Sequence, residues 1–329
     1  MNGANGIIAV TGANGFVGQQ LVAALLALEH PVRAIVRQER VPRPADSRLE
    51  VRPVGEFRQA AWPELLRGAD ALVHLAAVAH RPPPRDTRTA ADVHAINVEA
   101  VATIARGAVA AGVRRMIYLS SIGVLGATGT FDDSSPPAPH DFYSRTKLAG
   151  ERAAEREAGG SPLQLCVIRV PLVFGPHAPG NFARLVNYVR RGIPLPLGAV
   201  HNRRSLLSVW NLAELLIHCL RHPGAPGTPL VAADEESIST PELIRLCAEG
   251  LHTRARLVSV PVRALRIACA ALGRSADFDR LCGSLVIDTA ATWTRLQWRP
   301  LLGVRDGVRR AAAAAAAAAT AAQAGARRG

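Results

Sequence analysis

The stretch Ile7-Ile8-Ala9-Val10-Thr11-Gly12-Ala13-Asn14-Gly15-Phe16-Val17-Gly18 decides how this chain folds. Four apolar residues run straight into a turn with glycine at 12, 15 and 18, and a helical stretch follows from Gln19 to Leu28. Glycine at those places lets the turn close, lets backbone approach a pyrophosphate and lets helix pack on strand. The helix N-terminus offers N–H donors and positive dipole to the anion. The spacing is GxxGxxG rather than GxGxxG. Three glycines in a turn carry little alone; between the first strand and first helix of an alternating pattern they point to a dinucleotide. Gly12, Asn14, Gly15, Phe16, Val17 and Gly18 are the loop residues expected to line it.

The rest of the first half repeats the same unit. Apolar, β-branched segments at 7–11, 32–36, 49–54, 71–75 and 116–120 are each followed by a helical stretch, and 165–170 follows a helix over 142–158. Nearly continuous apolar strands alternating with helices predict an α/β, doubly wound parallel sheet covered on both faces. Beyond residue 175 the pattern shifts to proline-rich loops, with helices expected at 183–191, 211–221, 240–249 and 262–272 and a short strand at 230–232. The expected organisation is a Rossmann domain over 1–175 and a smaller substrate lobe over 176–305, part of which, 205–235, returns to the sheet. An Ala/Arg-rich tail over 306–329 shows no apolar stripe to dock and is expected to be poorly ordered. The end of the second strand bears on which dinucleotide is bound. An acidic residue ~20 positions after the loop would bond the ribose 2′-hydroxyl of NAD, and arginine would pair with the 2′-phosphate of NADP. In Val36-Arg37-Gln38-Glu39-Arg40, Arg37 favours NADP(H) and Glu39 leaves NAD(H) open.

Composition excludes other classes. With 329 residues, 49% hydrophobic and 20% charged, the chain can bury a large core. No apolar run reaches the ~18–20 residues of a membrane helix, and the first residues lack a signal-peptide pattern, so a cytoplasmic protein without a transmembrane segment is expected. Cys166, Cys219, Cys247, Cys269 and Cys282 are widely spaced and never form CxxC, so buried free thiols are expected and no metal site is indicated. The net charge is +13, but the arginines are scattered and aromatic residues are only 4%, which argues against nucleic acid.

Of 39 basic side chains, Lys147 is the single lysine, leaving 38 arginines. A background that accepts arginine wherever positive charge suffices marks Lys147 as a place where a compact ammonium is needed. It lies four residues after Tyr143 in Asp141-Phe142-Tyr143-Ser144-Arg145-Thr146-Lys147, so both side chains share one helix face. A phenol titrates near ~10 and shuttles protons poorly at neutral pH unless a neighbouring cation favours the phenolate. Lys147 is expected to be that cation.

TGANGFVG together with YSRTK resembles the extended short-chain dehydrogenase/reductases, in particular the branch containing UDP-glucose 4-epimerases and related nucleotide-sugar enzymes. The resemblance covers residues 7 to about 302. It implies a catalytic Ser121 within Tyr118-Leu119-Ser120-Ser121-Ile122-Gly123-Val124-Leu125-Gly126, where Leu125 departs from the usual tyrosine. It implies that Asn97 supports a water relay to Lys147, that Leu75, Ala76, Ala77 and Pro171 flank the cofactor, and that Glu56 and Phe57 lie at its adenine. On the substrate side it implies diphosphate contacts from Asn181, Arg204 and, more weakly, Arg280. Trp298-Arg299-Pro300 is similar to a Gly-Trp-x-Pro ending, with Gln297 in place of glycine. His80 and His201 read as solvated loop histidines. The family commonly dimerises through helices that would here cover 98–111 and 143–158.

Three functions follow from these readings. The first is a UDP-hexose or UDP-N-acetylhexosamine 4-epimerase, in which Tyr143 exchanges a proton with the C4 oxygen, Ser121 holds that oxygen and hydride leaves and returns. The second, favoured by Arg37, is an NADPH-dependent 4-reductase of a UDP-4-keto-6-deoxy-hexosamine. The third is a catalytically silent NADP-binding regulator, which would be expected to lose the Tyr or Lys that this chain keeps.

Overall fold

The computed structural model describes residues 6–38, 46–79 and 87–326. Its strands are β1 (Ile7–Thr11), β2 (Val32–Val36), β3 (Leu49–Pro53), β4 (Ala69–His74), β5 (Arg115–Ser121), β6 (Gly129–Phe131), β7 (Gln164–Val170), β8 (Leu172–Phe174), β9 (Leu206–Ser208), β10 (Leu230–Val231) and β11 (Leu285–Ile287). Seven of them form one sheet in the order β10-β7-β5-β4-β1-β2-β3, and every pair in it is parallel. Thr11 stands beside Ile35 and His74, and Ser121 beside Val170, so the carboxyl ends of β1, β4, β5 and β7 share one edge. The strand order reverses at β1 and β4, where doubly wound sheets open a ligand crevice.

The helices are α1 (Phe16–Ala27), α2 (Trp62–Leu65), α3 (Thr87–His94), α4 (Ala100–Ala110), α5 (Phe142–Ala158), α6 (Asn181–Arg190), α7 (Val209–Cys219), α8 (Thr240–Gly250), α9 (Val262–Ala271), α10 (Ser275–Cys282), α11 (Ala290–Leu296) and α12 (Val304–Ala326). On one face of the sheet, Leu21 and Leu25 of α1 and Leu212, Leu215 and Leu216 of α7 bury against Ile8, Val10 and Ile168. On the other, Ile104 and Ala108 of α4 and Ala154 of α5 pack with Leu72, Met116 and Trp62. Apolar residues on both surfaces of each central strand explain why those strands read as unbroken runs rather than alternating ones.

A third core, of Phe174, Phe182, Ile244, Cys247 and Val308, holds the C-terminal lobe together. That lobe is joined to the sheet by two small parallel pairs, β11 with β6 and β8 with β9. The expectation of no docking stripe is corrected for the start of the tail. Val304, Val308, Ala311 and Ala312 of α12 are buried, and a Cβ on Gly250 of α8 would stand 3.0 Å from the Ala312 methyl. The stripe is built of valine and alanine, so an apolar/polar contrast is faint in sequence although close helix packing needs only small residues. Cys166, Cys219 and Cys247 are buried free thiols, and Cys269 and Cys282 are half-buried. Among the described residues no helix is long and apolar enough to cross a membrane, and no group of metal-ligating side chains assembles.

Candidate active site

α1 starts at Phe16 with Gly15 as its cap, so no side chain occupies the first-turn amides and no acidic residue opposes an anion there. Gly12 has φ +69, and a Cβ on it would stand 2.8 Å from the Ala76 amide nitrogen. A Cβ on Gly18 would meet the Gly12 carbonyl oxygen at 2.2 Å. The loops after β1 and β4 therefore touch backbone to backbone, with Leu75 and Ala76 against the glycine turn and Ala77 next in the chain. A cradle of bare backbone and free helix dipole fits a dinucleotide pyrophosphate. Beside it, a cavity of about 350 Å³ opens between Phe16, Gln19 and Gln20 and the loop of Pro176, His177 and Pro179.

At the far end of the cradle Arg37 and Glu56 are exposed, whereas the Phe57 ring is buried and stacks on Trp62 at 5.6 Å. The side chain at this turn that faces outward is thus Glu56, not Phe57. Glu39, Arg40 and His80 lie outside the described residues.

Helix α5 begins with a capping box. The Ser144 amide donates to Asp141 Oδ1 at 2.8 Å, and the Ser144 hydroxyl lies 3.0 Å from the Asp141 amide. This fixes the first turn of α5, which carries Tyr143. Ser121 ends β5 and caps the short turn Ile122–Val124, its Oγ accepting from the Gly123 amide at 3.2 Å. A Cβ on Gly123 would lie 3.4 Å from Ser121 Oγ, 3.3 Å from Ser144 Cβ and 3.2 Å from His140 Cε1, so glycine lets the serine turn and the start of α5 close on each other. Pro171, buried, follows the strand partner of Ser121.

Lys147 is 2% exposed and its Nζ lies 4.0 Å from the centroid of the Tyr118 ring. Tyr118 in turn stacks on His74, which shares a 2.7 Å hydrogen bond with Thr11. Burial pulls the Lys147 ammonium down to about 7, opposed by Glu151 one turn further along α5. Burial, and then the charge of Lys147, pull His74 down to about 3. The Tyr143 phenol is pushed up to about 12, by burial first and by the Asp141 carboxylate second. Burial thus favours the uncharged form of both side chains. Burial would raise the Asp141 carboxyl, but the Ser144 amide and hydroxyl, His140 and Arg280 together hold it below its ordinary value.

Asn97 is 1% exposed in a π-helical turn, Ala95–Glu99, between α3 and α4. Its Oδ1 accepts from the Val78 amide at 2.8 Å, and its Nδ2 donates to Thr146 Oγ1 at 3.0 Å, next to Lys147 in the chain. A Cβ on Gly150 would stand 2.5 Å from the Asn97 carbonyl oxygen and 2.4 Å from Tyr118 Oη, so this bulged turn, α5 and β5 meet at contact distance. His74 Nε2 and Tyr118 Oη are buried there without a protein partner among the described residues.

Arg204 is half-buried and donates to the Gly283 carbonyl at 2.9 Å, just past α10; burial lowers its pKa. Arg280, on α10, lies 3.9 Å from Asp141 Oδ2. Both arginines thus lie at the end of α10, where Arg280 also reaches the start of α5. Asn181 is exposed at the start of α6 and its Oδ1 accepts from Arg184, so its side chain is taken up locally.

Sequence reasoning missed three residues. His140 lies 3.3 Å from the Gly123 carbonyl and 3.4 Å from Asp141 Oδ2, and its only sequence signal is its place three before Tyr143. Glu151 accepts from Arg169 at 2.7 and 3.2 Å and from the Ser120 hydroxyl, all three buried. The i+4 step from Lys147 to Glu151 was available as a signal. Asn202 is buried and ties Thr240 to the Leu281 and Gly283 carbonyls, and nothing in its neighbourhood marked it.

The profile of the NAD dependent epimerase/dehydratase family matches residues 8–232. A UDP-glucose 4-epimerase of Vibrio cholerae is 32% identical over 312 residues, covering 93% of this chain and 94% of that one. An N-acetyl-alpha-D-glucosaminyl-diphospho-ditrans,octacis-undecaprenol 4-epimerase of Escherichia coli O157:H7 is 25% identical over 78% of this chain and 76% of its own. The fold matches the Bordetella bronchiseptica enzyme WbmG, solved in complex with NAD, with a TM-score of 0.76 and 21% identity over 95% of this chain and 94% of that one.

Proposed function

We propose that this chain, which belongs to the NAD-dependent epimerase/dehydratase family, is a cytoplasmic 4-epimerase of a UDP-hexose or UDP-N-acetylhexosamine. The observation that carries the reading is the closure of the Ser121 turn on the first turn of α5, with the half-buried Tyr143 and the buried Lys147 four residues apart on that helix. The full-length likeness to a UDP-glucose 4-epimerase supports it.

A bound NAD(H) or NADP(H) would supply the acceptor and donor of hydride at C4 of the sugar. Gly12, Gly15, Gly18 and the first-turn amides of Phe16 and Val17 would hold its pyrophosphate, Asn14 the loop, and Leu75, Ala76, Ala77 and Pro171 the walls. Arg37 and Glu56 would stand at its outer end. Tyr143 takes the proton of the C4 hydroxyl during oxidation and gives it back to the C4 oxygen during reduction, while Ser121 hydrogen-bonds that oxygen. Lys147 sits one turn away to set the charge beside the phenol, and Asn97 fixes Thr146 and so the backbone that carries it. Arg204 and Arg280 suit the diphosphate because a guanidinium fork matches phosphate oxygens; Asn181 reaches the same anion only after releasing Arg184. Two copies pair through α4 and α5.

The test offers purified protein UDP-glucose and UDP-N-acetylglucosamine without added cofactor and follows the C4 epimers by NMR. Interconversion is expected, and no epimer from either sugar, with or without added NAD, overturns the reading. The exposed Arg37 favours a second one, a 4-reductase fed by NADPH. NADPH consumption only with a UDP-4-keto-6-deoxy-hexosamine would establish it instead. A monomer mass in sedimentation would remove the dimer.

A further inference from the structure

We infer that α9 and the segment around it form a docking surface for an anionic lipid bilayer. None of the ten residues of α9 is fully buried. Val262 and Leu265 lean on the C-terminal core, while the opposite face holds Ile267, 70% exposed, and alanines; the C-cap residue Leu272, beyond the packed turn, is 73% exposed. Exposed apolar side chains of that size on one short helix mark a surface that meets something apolar.

Charge selects the partner. From residue 250 to 276 the sequence has five arginines, two of them Arg263 and Arg266 on α9, and no aspartate or glutamate. A second copy would bring the same arginines against these, on a chain whose net charge is already +13. A nucleic acid would want aromatic side chains for stacking, and residues 250–276 contain none. An anionic bilayer satisfies both features at once. Guanidinium groups pair with headgroup phosphates, and isoleucine and leucine enter the boundary between headgroups and acyl chains.

The surface adjoins the candidate site. α10 follows α9 directly, Arg266 lies over the Phe278 ring of α10 at 5.2 Å, and Arg280 of α10 reaches Asp141 at the start of the catalytic helix. A chain docked by α9 therefore brings α10, and with it Arg280 beside the start of α5, close to the membrane surface. This does not depend on which sugar the site takes.

The test is co-sedimentation of the full chain with vesicles of phosphatidylglycerol and phosphatidylcholine in equal parts. Binding is expected there and not with phosphatidylcholine alone, because each basic side chain near an anionic surface adds about five-fold. Ile267→Ser with Leu272→Ser keeps every charge, and is expected to lower the partition coefficient about ten-fold or more at an unchanged melting temperature. Arg263→Gln with Arg266→Gln is expected to lower it by a similar factor. Wild-type affinity in the Ile267/Leu272 variant would mean diffuse attraction of a basic protein and would overturn the proposal. So would absence of wild-type binding. If that variant instead changes the mass of the vesicle-free protein, α9 is a contact between copies and the bilayer reading is wrong.

Discussion

Replacing Arg169 by methionine isolates the buried ion pair that stands under the candidate catalytic lysine. The Arg169 side chain is 6% exposed on β7 and that of Glu151 is 1% exposed on α5. The carboxylate takes two bonds from the guanidinium and one from the Ser120 hydroxyl. In Arg169→Met it keeps a single neutral donor, and breaking a buried pair from one side costs about 3–5 kcal/mol because the remaining charge is uncompensated. For 329 residues melting as one unit, an unfolding entropy of roughly 2.1 cal/mol/K per residue amounts to about 0.7 kcal/mol/K. The melting temperature should then fall by about 4–7 °C. Glu151→Leu combined with Arg169→Met removes both charges and should recover most of that loss, leaving about 1 kcal/mol for the stranded Ser120 hydroxyl. Calorimetry on wild type, single and double variants at pH 7 measures all three. A double variant that melts as low as the single one would refute the reasoning, since the cost would then lie in packing rather than in an unpaired carboxylate.

Tyr143→Phe should keep its melting temperature and lose turnover by about 10²–10⁴, the usual share of a positioned acid–base group; steady-state kinetics decides it. Lys147→Arg should also lose most activity and, unlike a surface exchange, should destabilise by about 1–3 kcal/mol, because a larger group must enter a filled space over the Tyr118 ring; thermal melts with activity assays read both effects. Gly18→Ala drives a methyl into the Gly12 carbonyl and Ala13 backbone, so dinucleotide binding measured by calorimetry should be abolished together with a fall in melting temperature. The Lys147 ammonium falls from its ordinary value to about 7 in the fold, so between about pH 7 and the ordinary lysine value of ~10.4 the unfolded chain binds a proton that the folded one does not. The lysine's penalty is therefore full below about pH 7 and fades as pH rises. Lys147→Met should raise the melting temperature most near pH 6 and least near pH 10, and a gain independent of pH would show that the lysine is not desolvated.

What could be read in advance follows from which interactions are local. Of the six strands from β1 to β7 that enter the main sheet, five are set by nearly continuous apolar runs and the edge strand β3 by alternation, and α5 is set by an Asp-x-x-Ser box at its start, so their positions agree with the sequence within a few residues. Strands β6, β8, β9 and β11 are three residues long and exist only because partners distant in sequence meet, as Leu285 meets Gly129. No window around either residue contains that information. The same holds at the site. The i,i+4 spacing of Tyr143 and Lys147 is a helix property and therefore legible. The inward turn of Asn97 depends on a π-bulge in its helix, and the Glu151, Arg169 and Ser120 cluster joins three elements through side chains alone.

The lone lysine gains a physical reason from the other buried cations. Arg115 is 2% exposed and donates to the Cys219 and His222 carbonyls and to Gln164, and Arg169 holds Glu151 with both arms of its fork. A buried arginine cannot shed its proton, so it persists only where several acceptors converge. Lys147 is buried as deeply but faces the ring of Tyr118, a partner too weak to hold a guanidinium against desolvation. A lysine tolerates that place because its charge is negotiable, and a charge poised near neutrality is what a proton-exchanging site uses. The exclusion of arginine from position 147 is then a matter of titration as much as of shape. Lys147→Arg combined with Tyr118→Leu to make room should therefore stay less stable than wild type and inactive, because the guanidinium still lacks acceptors; wild-type melting and activity in that pair would leave shape as the sole requirement.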